Sequence, residues 1–327
     1  WPVFYKMDTL EVLKAETQPG MGGEHDVPGL YAHVMLQAYE LTKEKRFLGE
    51  AEKAAKTLEG YGFDLFYQAN NTAFSSGALL RLYKLTDNKL YLELSYLCLA
   101  NVFRNIQLWD CNYGFGKNLP TFFALFPLSN APYTAVYEEQ EVFCAFHDYL
   151  KHAADIDILP EVHLLITEYI RYLVDRAVYY YPAMLPKEML EEKTKTGEVD
   201  PNLWIALEDL HDGWEKSGAV GQEVYGAGNA FGILPRHYFK IPGDEFMLYV
   251  DYPVANFKTR GRSASFKILG NELIQCRMVM VKVGDKKLPE ITVSDKGSDK
   301  VLKGKALKPG NIEYRVGGGR EIKLLWK

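Results

Sequence analysis

The sequence predicts a chain in two parts: stacked antiparallel helical hairpins over residues 1 to 240, then a small antiparallel β-sandwich over residues 244 to 327. Three observations predict this fold class. Apolar residues recur with a helical period in the first part and with a period of two in the second. Two helical segments of the first part repeat each other. The charge also changes at the boundary, because the segment from residue 244 carries 17 Lys and Arg against 10 Asp and Glu, and the remainder carries 21 against 33.

The first part begins with two related hairpins. The segment "GLYAHVMLQAYELTKEKRFLGEAEKAAKTL" has apolar residues at i, i+3, i+4 and i+7 on both sides of a short break at residues 42 to 45. The segment "LLYKLTDNKLYLELSYLCLA" repeats it, so that Tyr39 aligns with Tyr83 and Leu41 with Leu85, both at an offset of 44 residues. Self-similarity at such a period is typical of stacked helical hairpins.

Further elements are predicted on either side of these hairpins. A more divergent third hairpin covers residues 133 to 179 and breaks at "ADIDILP", a helix rich in Gly and Ala begins near Gly221, and residues 4 to 16 are expected to form another helix. Beyond residue 244, seven short stretches rich in β-branched and aromatic residues are separated by Gly, Pro, Asp or Lys. Six or seven strands in this length favour a sandwich.

The connections predict where a site would lie. Those within a hairpin are short, such as "TKEK" and "TDNK", whereas those between hairpins are long, such as "EGYGFDLFYQANNT" and residues 180 to 220. In a stack of antiparallel hairpins all the long connections lie at one end. Long loops in a compact domain are often functional, so we expect the site on this face.

The long connections contain both carboxylates and flat aromatic side chains. Aromatic rings stack on the apolar faces of sugar rings, and carboxylates bind hydroxyls and act as general acids and bases, so the pattern predicts a carbohydrate site. The predicted catalytic candidates are Glu24, His25, Asp26, Asp209, His211 and Asp212. The predicted substrate-binding residues are Asn71, Trp109, Tyr113, Trp204, Trp214 and Tyr225.

The repeated hairpins "AYELTKEKRFLGEAEKA" and "LYKLTDNKLYLELSYLCLA", with a β-sandwich after them, resemble the six-hairpin glycosidase superfamily. These α/α-toroid enzymes include glycoside hydrolases and polysaccharide lyases. The resemblance covers residues 25 to 105 and implies a toroid whose active site lies where the inter-hairpin loops gather. A full toroid has twelve helices and this sequence predicts seven or eight. The resemblance therefore implies either an open arc or an upstream segment or chain that completes the toroid, and a first residue of Trp1 fits a removed upstream segment.

Three functions stay open. Hydrolysis would pair a carboxylate of the last long connection, Asp209 or Asp212, with Glu24 or Asp26. Elimination would need a base such as His25, His211 or Tyr225 and a cation to neutralise a uronate, which the acidic first part disfavours. The third alternative is a non-catalytic carbohydrate-binding or scaffold region of a larger protein. The partner expected in each case is an oligo- or polysaccharide.

Other classes are disfavoured. No apolar run reaches the roughly 18 residues of a membrane helix, and no phosphate-binding fingerprint or nucleic-acid motif occurs, so the basic second part is interpreted as a solvated surface. The four cysteines form no CxxC pair, and we predict no metal, cofactor, nucleic-acid or membrane partner. The carboxylates of "YEEQE", Glu138, Glu139 and Glu141, are interpreted as an exposed acidic face with at most one member pointing inward.

Overall fold

A computed structural model describes residues 2–15, 24–109, 122–125, 136–176, 232–241, 246–298 and 300–327. Over these ranges the chain forms six α-helices and fourteen β-strands. The described residues up to His152 belong to one compact unit, and those from Ala153 onwards belong to a second. None of the helices in these ranges is both long and apolar enough to cross a membrane.

The first unit is built on five helices. They are α1 (Val27–Thr42), α2 (Lys45–Lys56), α3 (Ala69–Thr86), α4 (Lys89–Phe103) and α5 (Val136–His152). Helices α1, α3 and α5 pack side by side, α2 packs on α1 and α4 packs on α3. Alanines and leucines from α1 to α4 fill the core between them, including Ala32, Leu36, Ala55, Leu79 and Leu94. The predicted hairpins are confirmed as helix pairs for the two repeats.

The two repeated hairpins close with the same turn. Lys43 follows α1 with φ 62°, and its N–H donates to the carbonyl of Tyr39 at 2.8 Å. Asp87 follows α3 with φ 55°, and its N–H donates to the carbonyl of Tyr83 at 2.8 Å. A left-handed residue that returns its N–H to the helix end is a common way to stop a helix. The repeat seen in the sequence is therefore also a repeat of backbone conformation.

The front of the chain departs from the prediction. Instead of a helix over residues 4 to 16, β1 (Pro2–Tyr5) and β2 (Val12–Ala15) form an antiparallel pair. Leu10 adopts φ 57°, and its N–H donates to the carbonyl of Lys6 at 2.8 Å, which reverses the chain. The predicted helix is wrong because this turn interrupts it. A second short pair joins β3 (Ile106–Trp109) to β4 (Phe122–Leu125), and the helix predicted near Gly221 lies outside the described residues.

The second unit contains α6 (Pro160–Arg176) and two five-stranded antiparallel sheets. The first sheet has the order β12 (Lys305–Leu307), β13 (Asn311–Gly317), β9 (Gln275–Lys282), β6 (Phe246–Val250), β5 (Tyr238–Lys240). The second has the order β11 (Lys300–Val301), β10 (Ile291–Asp295), β14 (Glu321–Trp326), β8 (Ser263–Ile268), β7 (Val254–Thr259). Buried side chains of both sheets, such as Leu248, Met280, Phe266 and Leu324, belong to one hydrophobic cluster. Each of the seven stretches predicted as strands contains a strand.

Helix α6 belongs to the second unit, although the sequence places it in the first part. Arg171 forms an ion pair with Glu168 one turn earlier in α6. Glu168 Oε1 also accepts a hydrogen bond from the Tyr252 hydroxyl at 3.2 Å, and Arg171 Nη1 donates to the carbonyl of Gln275 at 3.3 Å. These buried contacts tie α6 to the strands that follow it in the chain.

Candidate functional site

The amino-terminal ends of α1, α3 and α5 lie together at one end of the first unit. Asp26, just before α1, accepts hydrogen bonds from the backbone N–H groups of Tyr67 and Gln68, just before α3. The Gln68 side chain in turn donates to Glu138 in the first turn of α5 at 2.8 Å. We call residues 24–26, 67–71 and 137–141 the amino-terminal edge. Three helix starts give this edge a positive potential that favours bound anions and carboxylates.

Asp26 joins α1 to α3. Its side chain is fully buried, and its Oδ2 accepts from the Thr72 hydroxyl at 2.7 Å as well as from the N–H groups of Tyr67 at 3.3 Å and Gln68 at 3.1 Å. Burial raises the pKa of this carboxyl to about 6, against the lowering effect of the hydrogen bonds. Its Oδ2 is thus engaged by three donors, from α3 and the two residues before it, whereas its Oδ1 is buried and accepts no hydrogen bond from the described residues. The three hydrogen bonds hold Asp26 against the start of α3.

His25 and Glu24 precede Asp26 on the edge. The His25 side chain is mostly buried, and its ring centroid lies 4.4 Å from that of Tyr61. Glu24 is half-buried, and its carbonyl accepts from the N–H of Val27 at 3.3 Å. Asn71, in the first turn of α3, is also half-buried, and its carbonyl accepts from the Ser75 hydroxyl at 2.8 Å. These three residues thus lie at the starts of α1 and α3.

The surroundings of Glu138 favour the protonated form of its carboxyl. Its Oε1 accepts from Gln68 Nε2, whereas its Oε2 is buried and accepts no hydrogen bond from the described residues. Burial raises the pKa of this carboxyl, and the neighbouring charge of Glu141 raises it further, against the lowering effect of its hydrogen bonds. A carboxyl in such a position retains its proton to higher pH than a solvated one.

Glu141 lies one turn further along α5 on the same face. Its Oε2 accepts from Asn70 Nδ2 at 2.6 Å, and its Oε1 accepts from the Tyr137 hydroxyl at 2.8 Å. Residues three apart on a helix lie on one face, so Glu138 and Glu141 both meet the start of α3. The edge therefore holds two neighbouring carboxyls in different surroundings, one with a bare oxygen and one with both oxygens engaged.

The interpretation of these carboxylates as an exposed acidic face is wrong. Glu139 is only 2% exposed, and Glu138 and Glu141 are partly buried. The reason is that α5 packs against α3, whose first residues supply amide donors to this face. The sequence contains one indication of this contact: two carboxylates three residues apart, at 138 and 141, match two amides at 68 and 70. The matching residues are about seventy positions apart, so the pattern is not visible locally.

The structure brings four of the sequence-predicted residues together at the amino-terminal edge, namely Glu24, His25, Asp26 and Asn71. The backbone of Trp109 ends β3, and its side chain is outside the described part. The remaining predictions lie outside the described residues: Tyr113, Trp204, Asp209, His211, Asp212, Trp214 and Tyr225. Gln68, Asn70, Glu138 and Glu141 are edge residues that sequence reasoning did not select.

A separate pocket lies further along the same three helices. It has a volume of about 140 Å³ and is lined by His33, Phe74, Arg81, Asp148 and His152, among others. Burial lowers the pKa of His33 to about 4, and it also lowers the pKa of His152, so both imidazoles are neutral at pH 7. Over the described ranges, no group of three or more His, Cys, Asp and Glu side chains is arranged to hold a metal ion.

Comparisons with known proteins return similar solved structures. The α-1,6-mannanase of glycoside hydrolase family 76 from Salegentibacter sp. HEL1_6 is 16% identical, with a TM-score of 0.38 over 69% of this chain and 64% of that one. A family 88 glycosyl hydrolase from Bacteroides vulgatus is 14% identical, with a TM-score of 0.38 over 70% and 66%. A polysaccharide lyase is 16% identical, with a TM-score of 0.36 over 67% and 61%. All three belong to the six-hairpin glycosidase superfamily.

The sequence of this chain resembles the same six-hairpin glycosidase superfamily. The chain spans slightly less than two thirds of the length of the mannanase and the lyase that it matches. No family model matches the sequence, and no curated protein matches it either.

Proposed function

We propose that this chain is part of a carbohydrate-active enzyme, a glycoside hydrolase, and that its amino-terminal edge is part of the substrate site. The observation that supports this most directly is the Glu138 carboxyl at the start of α5, which has a raised pKa and one oxygen that accepts no hydrogen bond from the described residues. The architecture we propose with it is an α/α toroid, complete or partial, followed by a β-sandwich.

In this proposal Glu138 is the general acid. Hydrolysis of a glycosidic bond needs a carboxyl that is still protonated at the working pH and can give its proton to the leaving oxygen. The second carboxylate, which activates water or attacks the sugar carbon, is proposed to be Asp209 or Asp212, from the longest of the inter-hairpin connections. The separation of the two carboxyls would then decide between inversion and retention.

Sugar binding is assigned to the aromatic and amide groups of the same edge. Tyr67 and Tyr137 are each 38% exposed, so each offers part of its ring to a ligand. A flat ring can stack on the apolar face of a sugar, and its hydroxyl oxygen can accept a hydrogen bond from it. Asn71, half-buried in the first turn of α3, adds an amide with both donor and acceptor groups.

The test is Glu138→Gln in the full-length protein. Turnover of an oligosaccharide should fall by about 100-fold or more, since general acid catalysis contributes on the order of 10² to 10⁴. An aryl glycoside with a dinitrophenolate leaving group needs no protonation, so its glycosidic cleavage should be affected far less. Glu50→Gln, at an exposed position of α2, is the matched control. An equal loss on both substrates would contradict the role of Glu138 as the acid.

The same substrates also distinguish the alternative functions. Oligo- and polysaccharides are assayed both for new reducing ends and for the ultraviolet absorbance of unsaturated products. Reducing ends without the absorbance support hydrolysis, and the absorbance would support elimination. Binding of saccharide without either signal would support a non-catalytic carbohydrate-binding role.

A further inference from the structure

The sheet that contains β7, β8, β14 and β10 has a polar row across one face. Lys258 of β7 lies opposite Ser265 of β8, Ser265 lies opposite Lys323 of β14, and Lys323 lies opposite Ser294 of β10. The residues that alternate with this row, such as Phe266, belong to the buried core. Because side chains alternate across a strand, the row faces away from that core.

This face forms a groove of about 700 Å³. Its serines are Ser263, Ser265 and Ser294, whose short side chains leave the centre of the sheet open. Its cations are Lys258, Arg260, Lys296 and Lys323. A groove with hydroxyls in the centre and long cationic side chains around them offers both hydrogen bonds and charge to a ligand.

The positive charge of the groove is largely uncompensated. Lys296 forms an ion pair with Glu321 at 3.0 Å. Within the part of the chain that the structure describes, Lys258, Arg260 and Lys323 form no ion pair with a carboxylate. The chain from residue 244 onwards also has an excess of seven positive charges, so the groove lies in a basic surrounding.

We call this face the Lys–Ser groove and propose that it binds an anionic polysaccharide that carries carboxylate or sulfate groups. That the polymer is a saccharide rests on the function proposed above. The backbones at Lys258 and Lys323 are separated by two strand spacings, about 10 Å. This distance is comparable with the length of a disaccharide unit, so the two ammonium groups can meet successive anionic groups of an extended chain. The serines between them can bind the sugar hydroxyls.

A nucleic acid is the less suitable polyanion. Proteins that bind single strands add aromatic rings on which bases stack. None of the described residues that line the groove is aromatic. The groove therefore offers charge and hydroxyls, which suit a charged saccharide, and no stacking surface for a base.

The test measures the affinity of the full-length protein for heparin, polygalacturonate, neutral dextran and single-stranded DNA. The variant Lys258→Gln with Lys323→Gln should bind heparin or polygalacturonate about tenfold more weakly, from about 0.7 kcal/mol for each exposed ion pair. Its affinity should also depend less steeply on salt. The control, Lys287→Gln with Lys305→Gln, removes the same charge from exposed positions outside the groove and should change the affinity less than twofold.

Three results would overturn the proposal: equal losses in both double variants, binding of dextran as tight as that of the anionic polymers, or tighter binding of DNA with the same sensitivity to the groove lysines. The Glu138→Gln variant should bind the anionic polymers like the wild type. If the groove variant loses affinity and Glu138→Gln retains full turnover, the result supports the binding role of the groove and contradicts the proposed catalytic role of Glu138. If Glu138→Gln loses turnover and the groove variant binds normally, only the groove fails.

Discussion

Asp26 illustrates how burial and hydrogen bonding oppose each other at a single residue. Three donors surround Oδ2, and each stabilises the ionised carboxylate, yet the pKa of this fully buried group is raised to about 6. Loss of hydration therefore outweighs the donors. The native state holds a proton on Asp26 more tightly than the unfolded chain does, so this group lowers the stability as the pH rises from 3.8 to about 6.

Asp26→Asn should remove this pH dependence. The amide has the same shape, and its oxygen can accept hydrogen bonds from the same donors, but it does not ionise. The free energy of unfolding of the variant minus that of the wild type should rise by about 2 to 3 kcal/mol between pH 4 and pH 7. Urea unfolding at each pH measures this difference, with Glu50→Gln as an exposed control. A difference that does not change with pH would contradict the assignment.

Glu138 leads to a second pH effect, this time on the rate. As the general acid it must be protonated, so the rate of oligosaccharide hydrolysis should fall as the pH rises through its pKa, which is raised by burial and by Glu141. In Glu138→Gln the residual rate should lack this alkaline limb. Steady-state kinetics from acidic to alkaline pH measure it. A limb that persists in the variant would assign the titration to another group.

At the scale of single residues, the sequence predicts where a residue lies in an element better than it predicts which groups contact its side chain. Asp26 and His25 lie at the start of α1, just before the segment whose apolar periodicity predicts a helix. The surroundings of Glu138 could not be predicted, because its amide donor, Gln68, is about seventy residues earlier in the chain. Only the packing of α5 against α3 brings the two together.

At the scale of elements, the contact between α1 and α3 is very close. Gly29 faces Ser75, and a Cβ atom at residue 29 would lie 2.2 Å from Ser75 Oγ and 2.4 Å from Ser75 Cβ. Ser75 itself lies 3.0 Å from the carbonyl of Asp26 and 2.8 Å from that of Asn71. It therefore cannot move aside without losing hydrogen bonds at the amino-terminal edge.

Two glycine-to-alanine changes should have opposite effects. Gly29→Ala should lower the free energy of unfolding by about 1 to 3 kcal/mol, since the new methyl group overpacks the contact with Ser75. Gly49→Ala, in the exposed middle of α2 with no atom of the described residues within 4 Å of its Cβ position, should raise it by up to about 1 kcal/mol through helix propensity. Urea unfolding followed by circular dichroism measures both. Changes of the same sign in the free energy of unfolding would contradict the close approach of α1 and α3 at Gly29.

The sequence predicts most of the regular elements, because their periodicity is local. It fails for residues 4 to 16, where Met7, Leu10 and Leu13 follow one another at spacings of three, as residues on one face of a helix do. The deciding feature is the left-handed backbone conformation of Leu10. Leucine rarely adopts this conformation, so the residue type gives no indication of it. The strands after residue 244 are predicted correctly because Gly, Pro and Asp separate them clearly.

At the scale of the whole molecule, periodicity does not decide which elements share a unit. Helix α6 has the pattern of the helices before it, yet its Glu168 and Arg171 contact Tyr252 and Gln275. Both charged side chains are about 7% exposed. A buried ion pair of this kind is strongly unfavourable to break on one side only, since the remaining charge has no partner.

Arg171→Met should therefore lower the free energy of unfolding by about 3 to 5 kcal/mol. Adding Glu168→Gln should restore much of this loss, because the buried carboxylate is then removed as well. Hydrogen exchange of the amides in β6 and β9 reports on this unit. Arg315→Met, which removes the exposed partner of a pair with Glu313, is the control and should change the free energy of unfolding by less than about 1 kcal/mol. Additive effects of the two buried substitutions would contradict the coupling.

The matching turns after α1 and α3 bear on how such a chain evolves. Each turn is closed by a hydrogen bond from Lys43 or Asp87 to its own helix end, so a copied segment of 44 residues brings its own stop signal with it. Unequal crossing-over within the gene can then add or remove a whole hairpin without rewriting its neighbours. Lineages that descend from one such gene can therefore differ in their number of hairpins.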